Sequence, residues 1–201
     1  SLPTDLYLLA QLAKTTDKGV YFEIGTWRGE SVLNVSSFVS EAYTLNLTDE
    51  EMRRRGASED YISQSGMLLN TASENITQLY GDSLAFDFRQ WHGKCDLVFI
   101  DGDHHYRAVV SDTLKCLPLL KDDNSVLVWH DYGYSPEEIR WDILLAILDA
   151  IPASSHKYLY HVAHTKCAIM TRKPLKAQHK GRPLRPESVF KIKLNRSAYP
   201  F

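Results

Sequence analysis

Apolar, β-rich runs recur along the chain with helical stretches between them, and each run ends on polar residues. In order they are "GVYFEIG", "AYTLNL", "ITQLYGD", "CDLVFIDGD" and "NSVLVWHDYG". Between them, "ESVLNVSSFV" places Val32, Val35 and Phe38 or Val39 on one helical face. "YRAVVSDTLKCLPLL" places Tyr106, Val109, Val110, Leu114 and Leu117 on one stripe. Such alternation constrains the fold to an α/β, doubly wound, mostly parallel sheet. The last two runs, "KYLYHVAH" and "KCAIMTR", have almost no linker. A parallel crossover needs a dozen or more residues, so these two must pair antiparallel. The expectation is a seven-stranded sheet closed by an antiparallel C-terminal hairpin. "SPEEIRWDILLAILDAI" reads as a helix opened by a capping box from Ser135 to Glu138, with Pro136 at its first position.

With 201 residues, 44% of them hydrophobic, the chain can bury the core of one domain. No apolar run approaches the roughly 20 residues of a membrane helix. "SLPTDLYLLAQLAK" reads as a docking helix behind a Thr4 or Asp5 cap. Cys95, Cys116 and Cys167 are odd in number and far apart. They read as buried, reduced thiols of a cytoplasmic protein. The net charge of −2 is unevenly spread: residues 172–201 hold nine Lys and Arg against Glu187 alone. The division expected is one domain over residues 1–173 and a basic tail over 174–201. The tail's "SVFKIKL" alternates like a strand, so packing on a protomer is favoured over nucleic acid.

In an open α/β sheet, ligands bind beyond the carboxyl ends of the strands. That rule sets Gly25, Asp82, Asp101 and Asp131 on one rim. The dinucleotide fingerprint GxGxxG is missing from the first turn, which reads Glu23-Ile24-Gly25-Thr26-Trp27-Arg28-Gly29. An acid at that edge would repel a pyrophosphate and suits a ligand bearing an ammonium group. Trp27, inside the turn, reads either as core or as a flank of the ligand. Residues 48–66 are the best candidate for a substrate lid.

At these residues the chain resembles the Rossmann-like S-adenosylmethionine-dependent methyltransferases. "EIGTWRGES" is similar to their first motif, "YGDS" to the segment after the third strand, and "FIDGDHHY" to the one after the fourth. The nearest group by "IDGDHHY" and "HDY" is the bacterial small-molecule O-methyltransferases related to macrolide-sugar enzymes. The resemblance covers residues 5 to 171. It implies S-adenosylmethionine as cofactor, with Gly25, Thr26, Trp27, Gly29 and Ser31 around the methionine half and Glu23 near the turn. Asp82 and Ser83 would approach the adenine, and Asp101 would stand beside the cofactor. The family usually ends its second strand with an acid for the ribose, whereas "TLNLTDEE" offers Asn46, or Asp49 further on.

Methyl transfer to a hydroxyl needs alignment and a group to take the proton. His104 stands where metal-dependent relatives carry a lysine base, and a histidine can serve as base near neutral pH. The catalytic set expected is His104, Asp101 and His130, with His105 as an alternative base. The resemblance also implies a divalent ion such as Mg²⁺ held by Asp101 and Asp131. His130 beside them would favour a transition metal instead. The partner expected is a small-molecule acceptor, with no membrane. The competing readings are an inactive cofactor-binding module, a nicotinamide oxidoreductase lacking its fingerprint, and a nucleic-acid methylase lacking an "NPPY"-like tetrapeptide.

Overall fold

The computed structural model describes residues 1–71 and 74–177. Helix α1 (Pro3–Lys14) precedes strand β1 (Val20–Ile24), then α2 (Glu30–Ser36) and β2 (Glu41–Asn46). Two short helices, α3 (Asp49–Arg54) and α4 (Glu59–Gln64), lead toward β3 (Ile76–Tyr80). Then follow β4 (Leu97–Ile100), α5 (Tyr106–Cys116), β5 (Val126–Trp129), β6 (Gly133–Ser135) and β7 (Glu138–Ile139). Helix α6 (Trp141–Ala150), β8 (Leu159–His161) and β9 (Ala168–Met170) complete the order.

The main sheet has seven strands in the order β3-β2-β1-β4-β5-β9-β8. The β1–β2, β1–β4, β2–β3 and β4–β5 pairs are parallel; β9 runs antiparallel to both β5 and β8. This is the fold expected from the alternating runs. Strands β4 and β5 are buried along their whole length, which is why they read as unbroken apolar runs. Two apolar clusters cover the sheet's faces. One joins Phe22, Val98, Leu127 and Trp129 to α5 and α6, and the other joins Tyr21, Phe99 and Val128 to α1 and α2. Cys95, Cys116 and Cys167 are free and buried. Among the described residues no helix is long and apolar enough to cross a membrane.

Three local expectations are corrected. The segment after β5 does not open a helix at Pro136. It doubles back as the β6–β7 hairpin, pairing Gly133 with Ile139 and Ser135 with Glu138, and α6 begins at Trp141 behind Arg140. The Ser135 hydroxyl is spent on Glu137 instead of a helix end. On α5, Tyr106 and Leu114 face solvent, while Ala108, Val109, Asp112, Thr113 and Cys116 turn inward. Thr113 is drawn in because its hydroxyl accepts the Trp129 indole N–H at 2.8 Å. Helix α1 starts behind Leu2, with Thr4 and Asp5 inside it. The basic run beyond Ala177, including the strand-like "SVFKIKL", lies outside the described residues.

Candidate functional site

The turn after β1 is set by backbone. Gly25 has φ +99, and a Cβ there would stand 2.1 Å from the Asp101 carbonyl oxygen. Gly25 therefore lets the tips of β1 and β4 close against each other, so the crowding comes from the protein's own backbone. Gly29, at φ +97, caps α2, and a Cβ there would meet the Leu69 side chain. Trp27 between them has φ +41, a left-handed conformation that is costly for a bulky residue.

Glu23 is fully buried beneath this turn. Tyr21 donates to its Oε2 at 2.6 Å and Thr44 to its Oε1 at 2.7 Å, and Thr44 in turn meets the Thr26 hydroxyl at 2.7 Å. Burial pushes the Glu23 pKa up to about 7, against the pull of its bonds from Tyr21, Thr44 and Ser31. Its place is under the floor of the site, where it ties Ser31, Thr26 and β2 together.

Above that floor lies a cleft of about 260 Å³, with Gly25, Thr26, Trp27 and Ser31 on one wall. Asp101, His104, His130 and Asp131 form the other. A second hollow of about 350 Å³ adjoins it, lined by Asn46, Leu47 and residues of α3 and its C-terminal turn. Tyr61 of α4 lines both. Asn46, which lines the hollow, donates to Ser65 Oγ at 2.7 Å, and its amide oxygen is an acceptor. Asp82 and Ser83 stand at the end of β3 and are not among the residues lining either hollow. Arg55 holds the Asp82 carboxylate at 2.5 Å, and the Ser83 carbonyl accepts from Lys115.

The tips of β4 and β5 carry a tight charge cluster. His130 Nε2 lies 3.0 Å from Asp5 Oδ2 of α1. Its Nδ1 lies 3.0 Å from Asp101 Oδ1 and 3.3 Å from Asp131 Oδ1, yet is buried with no hydrogen-bond geometry to either. Burial alone would lower the imidazole pKa, but the carboxylates of Asp101, Asp131 and Asp5 raise it to about 11. Asp131, at φ +48, receives His104 Nε2 on Oδ2 at 3.0 Å and Lys166 Nζ on Oδ1 at 2.6 Å. Although burial opposes ionisation, His104, His130 and Lys166 hold this carboxyl far below the usual range. His105 pairs with Asp103.

Asp5 and Lys166 had no signal in the sequence. Asp5 resembles an ordinary first-turn acid, and it does accept the Leu2 N–H. Its other partners lie 125 and 161 positions along the chain, at His130 and at the Lys166 backbone N–H. Tyr61 fell inside the lid candidate but was not singled out.

A family model described as a methyltransferase domain matches residues 22–132, more than half of the chain. No significant match was found among curated protein sequences. Several solved structures share the fold. The Podospora anserina methyltransferase PaMTH1, bound to S-adenosylhomocysteine, aligns with a TM-score of 0.60 and 16% identity, over 87% of this chain and 80% of its own. A candidate caffeoyl-CoA O-methyltransferase of Staphylococcus aureus aligns at 0.59 and 16% identity, over 85% and 84%. A candidate O-methyltransferase of Klebsiella pneumoniae gives 0.54 and 15% identity, over 85% and 81%. The order of the strands, the glycine turn against β4 and the matched segment agree: the chain belongs to the methyltransferase-domain family and is an S-adenosylmethionine-dependent methyltransferase.

Proposed function

We propose that this methyltransferase acts on a hydroxyl group of a small, sugar-like or natural-product molecule, with His104 as general base. One observation carries the reading: His104 Nε2 lies 3.0 Å from Asp131 Oδ2 at the edge of the cleft that also holds Asp101. An ionised Asp131 can only accept, so the His104 ring donates from Nε2 and keeps Nδ1 as the atom that takes a proton. Lys166 and His130 fix Asp131 from the other side. His130, enclosed by carboxylates, serves as a fixed cation that orients Asp101 and Asp131.

S-adenosylmethionine supplies an electrophilic methyl group on a sulfonium. The two hollows meeting at Tyr61 suit its two halves, with Thr26, Ser31 and Asp101 toward the methionine end and the Asn46 amide oxygen toward a ribose hydroxyl. The β4–β5 tips also fit a divalent ion. The unpartnered Nδ1 of His130 faces two carboxylate oxygens, and Asp5 behind Nε2 fixes the ring as a carboxylate behind a metal-bound histidine does. Asp101, His130 and Asp131 would hold such an ion once His130 Nδ1 had given up its proton, so the ion would take the place of the imidazolium charge, and it would lower the pKa of the acceptor hydroxyl. The nitrogen donor favours a transition metal, and Lys166 competes for the same Asp131 oxygen.

The test is methyl transfer from labelled S-adenosylmethionine to a panel of hydroxylated small molecules. His104→Ala should lower turnover by about 10²- to 10⁴-fold while donor affinity, read by calorimetry, stays within about twofold. Equal turnover in a folded His104→Ala protein removes His104 as base. Titration with Mn²⁺ and Zn²⁺ should show tighter binding to Lys166→Ala than to the parent; no heat from either protein removes the metal.

A further inference from the structure

The aromatic pair over the glycine turn is unexplained by packing alone. Trp27 occupies a left-handed backbone position where glycine would be free of strain, and its side chain stays 39% exposed. A bulky side chain kept at such a position implies a use for the ring itself. Tyr61, 43% exposed, approaches it with ring centroids 4.3 Å apart at 41°. The two rings come from separate segments locked to each other, since Gly66 N–H donates to the Trp27 carbonyl at 2.5 Å and Leu68 N–H to that of Arg28. Both rings line the same cleft. Its carboxylates already have cations beside them, Arg28 at Glu30 and His130 at Asp101 and Asp131, so the π faces are what the cleft has left to offer a further cation. Two π faces beside carboxylates favour a cation.

We propose that Trp27 and Tyr61 form an aromatic clamp that reads the positive charge of the donor's sulfonium, so that the charged donor is held in preference to the neutral thioether left after transfer. The proposal rests on the S-adenosylmethionine reading of the cleft and adds a specificity function to it. Carboxylates alone would attract the α-ammonium group, which donor and product share. The clamp acts on the one charge that differs between them. It thereby aids product release, because transfer of the methyl group removes the charge the rings attract.

Binding of S-adenosylmethionine, S-adenosylhomocysteine and the amine analogue sinefungin should be compared by calorimetry at one ionic strength. The readout is the ratio of the Kd for S-adenosylhomocysteine to the Kd for each cationic ligand. Trp27→Gly and Tyr61→Leu should each lower both ratios by about 2- to 30-fold. Tyr61→Phe, which keeps the π face, should preserve them. Trp27→Gly relieves the positive φ, and a far-UV circular dichroism spectrum matching the parent's establishes that each variant is folded before its ratios are compared. Unchanged ratios in both ring-removing variants overturn the clamp, even if all affinities drop together. Failure of all three ligands to bind the parent protein would overturn the cofactor reading along with it.

Discussion

The two ends of the site are built differently. At the β4–β5 tips, Asp5, His130, Asp101, Asp131 and Lys166 lock together across the whole chain, with Asp5 and His130 buried. At the β2–β3 end, the contacts span only 6 to 27 positions and are partly exposed: Asn46 to Ser65, Arg55 to Asp82, Arg53 to Glu59. A buried charge network is costly to break but rigid, while exposed pairs are cheap and replaceable. On the proposed reading, the end that would do the chemistry is preorganised, and the end that would take the adenosine is left adaptable.

The sharpest way to break this contrast is Asp5→Ala. It strips a buried acid from a buried imidazolium and should cost about 3–5 kcal/mol of stability, read from the shift in denaturant midpoint. A loss under about 1 kcal/mol would mean that the cluster is not the rigid end.

A second effect of somewhat smaller size comes from Glu23. Its folded pKa of about 7 stands above its ordinary 4.5. A raised acid contributes stability that is fully present below the unfolded value and is lost as pH rises through the folded one. Stability should thus decline between about pH 4.5 and 7 by about 3 kcal/mol from this group. Asp112, buried on α5 and pushed up to about 6 by that burial, adds to the decline in the same direction. Chemical denaturation across that window should show a flatter slope in Glu23→Gln; an unaltered slope would place Glu23 in contact with water.

Arg55→Ala tests the other end. Its pair with Asp82 is partly exposed, so the expected loss is about 0–1 kcal/mol. A loss as large as that of Asp5→Ala would erase the contrast.

What the sequence made legible follows the same division. Runs such as "CDLVFIDGD" announce a buried strand and its polar tip together, so the rim residues Gly25, Asp101 and Asp131 were readable before any coordinates. The expectation for Gly25 needed a different reason, since its missing Cβ makes room for the Asp101 carbonyl. "SPEE" misled because a capping box and a tight hairpin use the same hydroxyl and turn residues. Only the ladder from Gly133 to Ile139 distinguishes them. Asp5 and Lys166 were invisible because their partners are remote in the chain and nothing in their neighbours hints at a buried charge.

The short loop between β8 and β9 has a further consequence in the order of assembly. The Lys166 backbone reaches Asp5 across 161 positions, and its ammonium reaches Asp131 across 35. Contacts at such separations close late, because the chain entropy they consume is large and their reward comes only on closure. As the chain emerges from its N-terminus during synthesis, the matched segment 22–132 can collapse first, with Asp131 still lacking the ammonium that fixes it. If His104 is the base, as proposed, the Asp131 that orients it is fixed only once residue 166 has arrived, and the competence to move a methyl group would be conferred by the loop that joins the last two strands of the sheet.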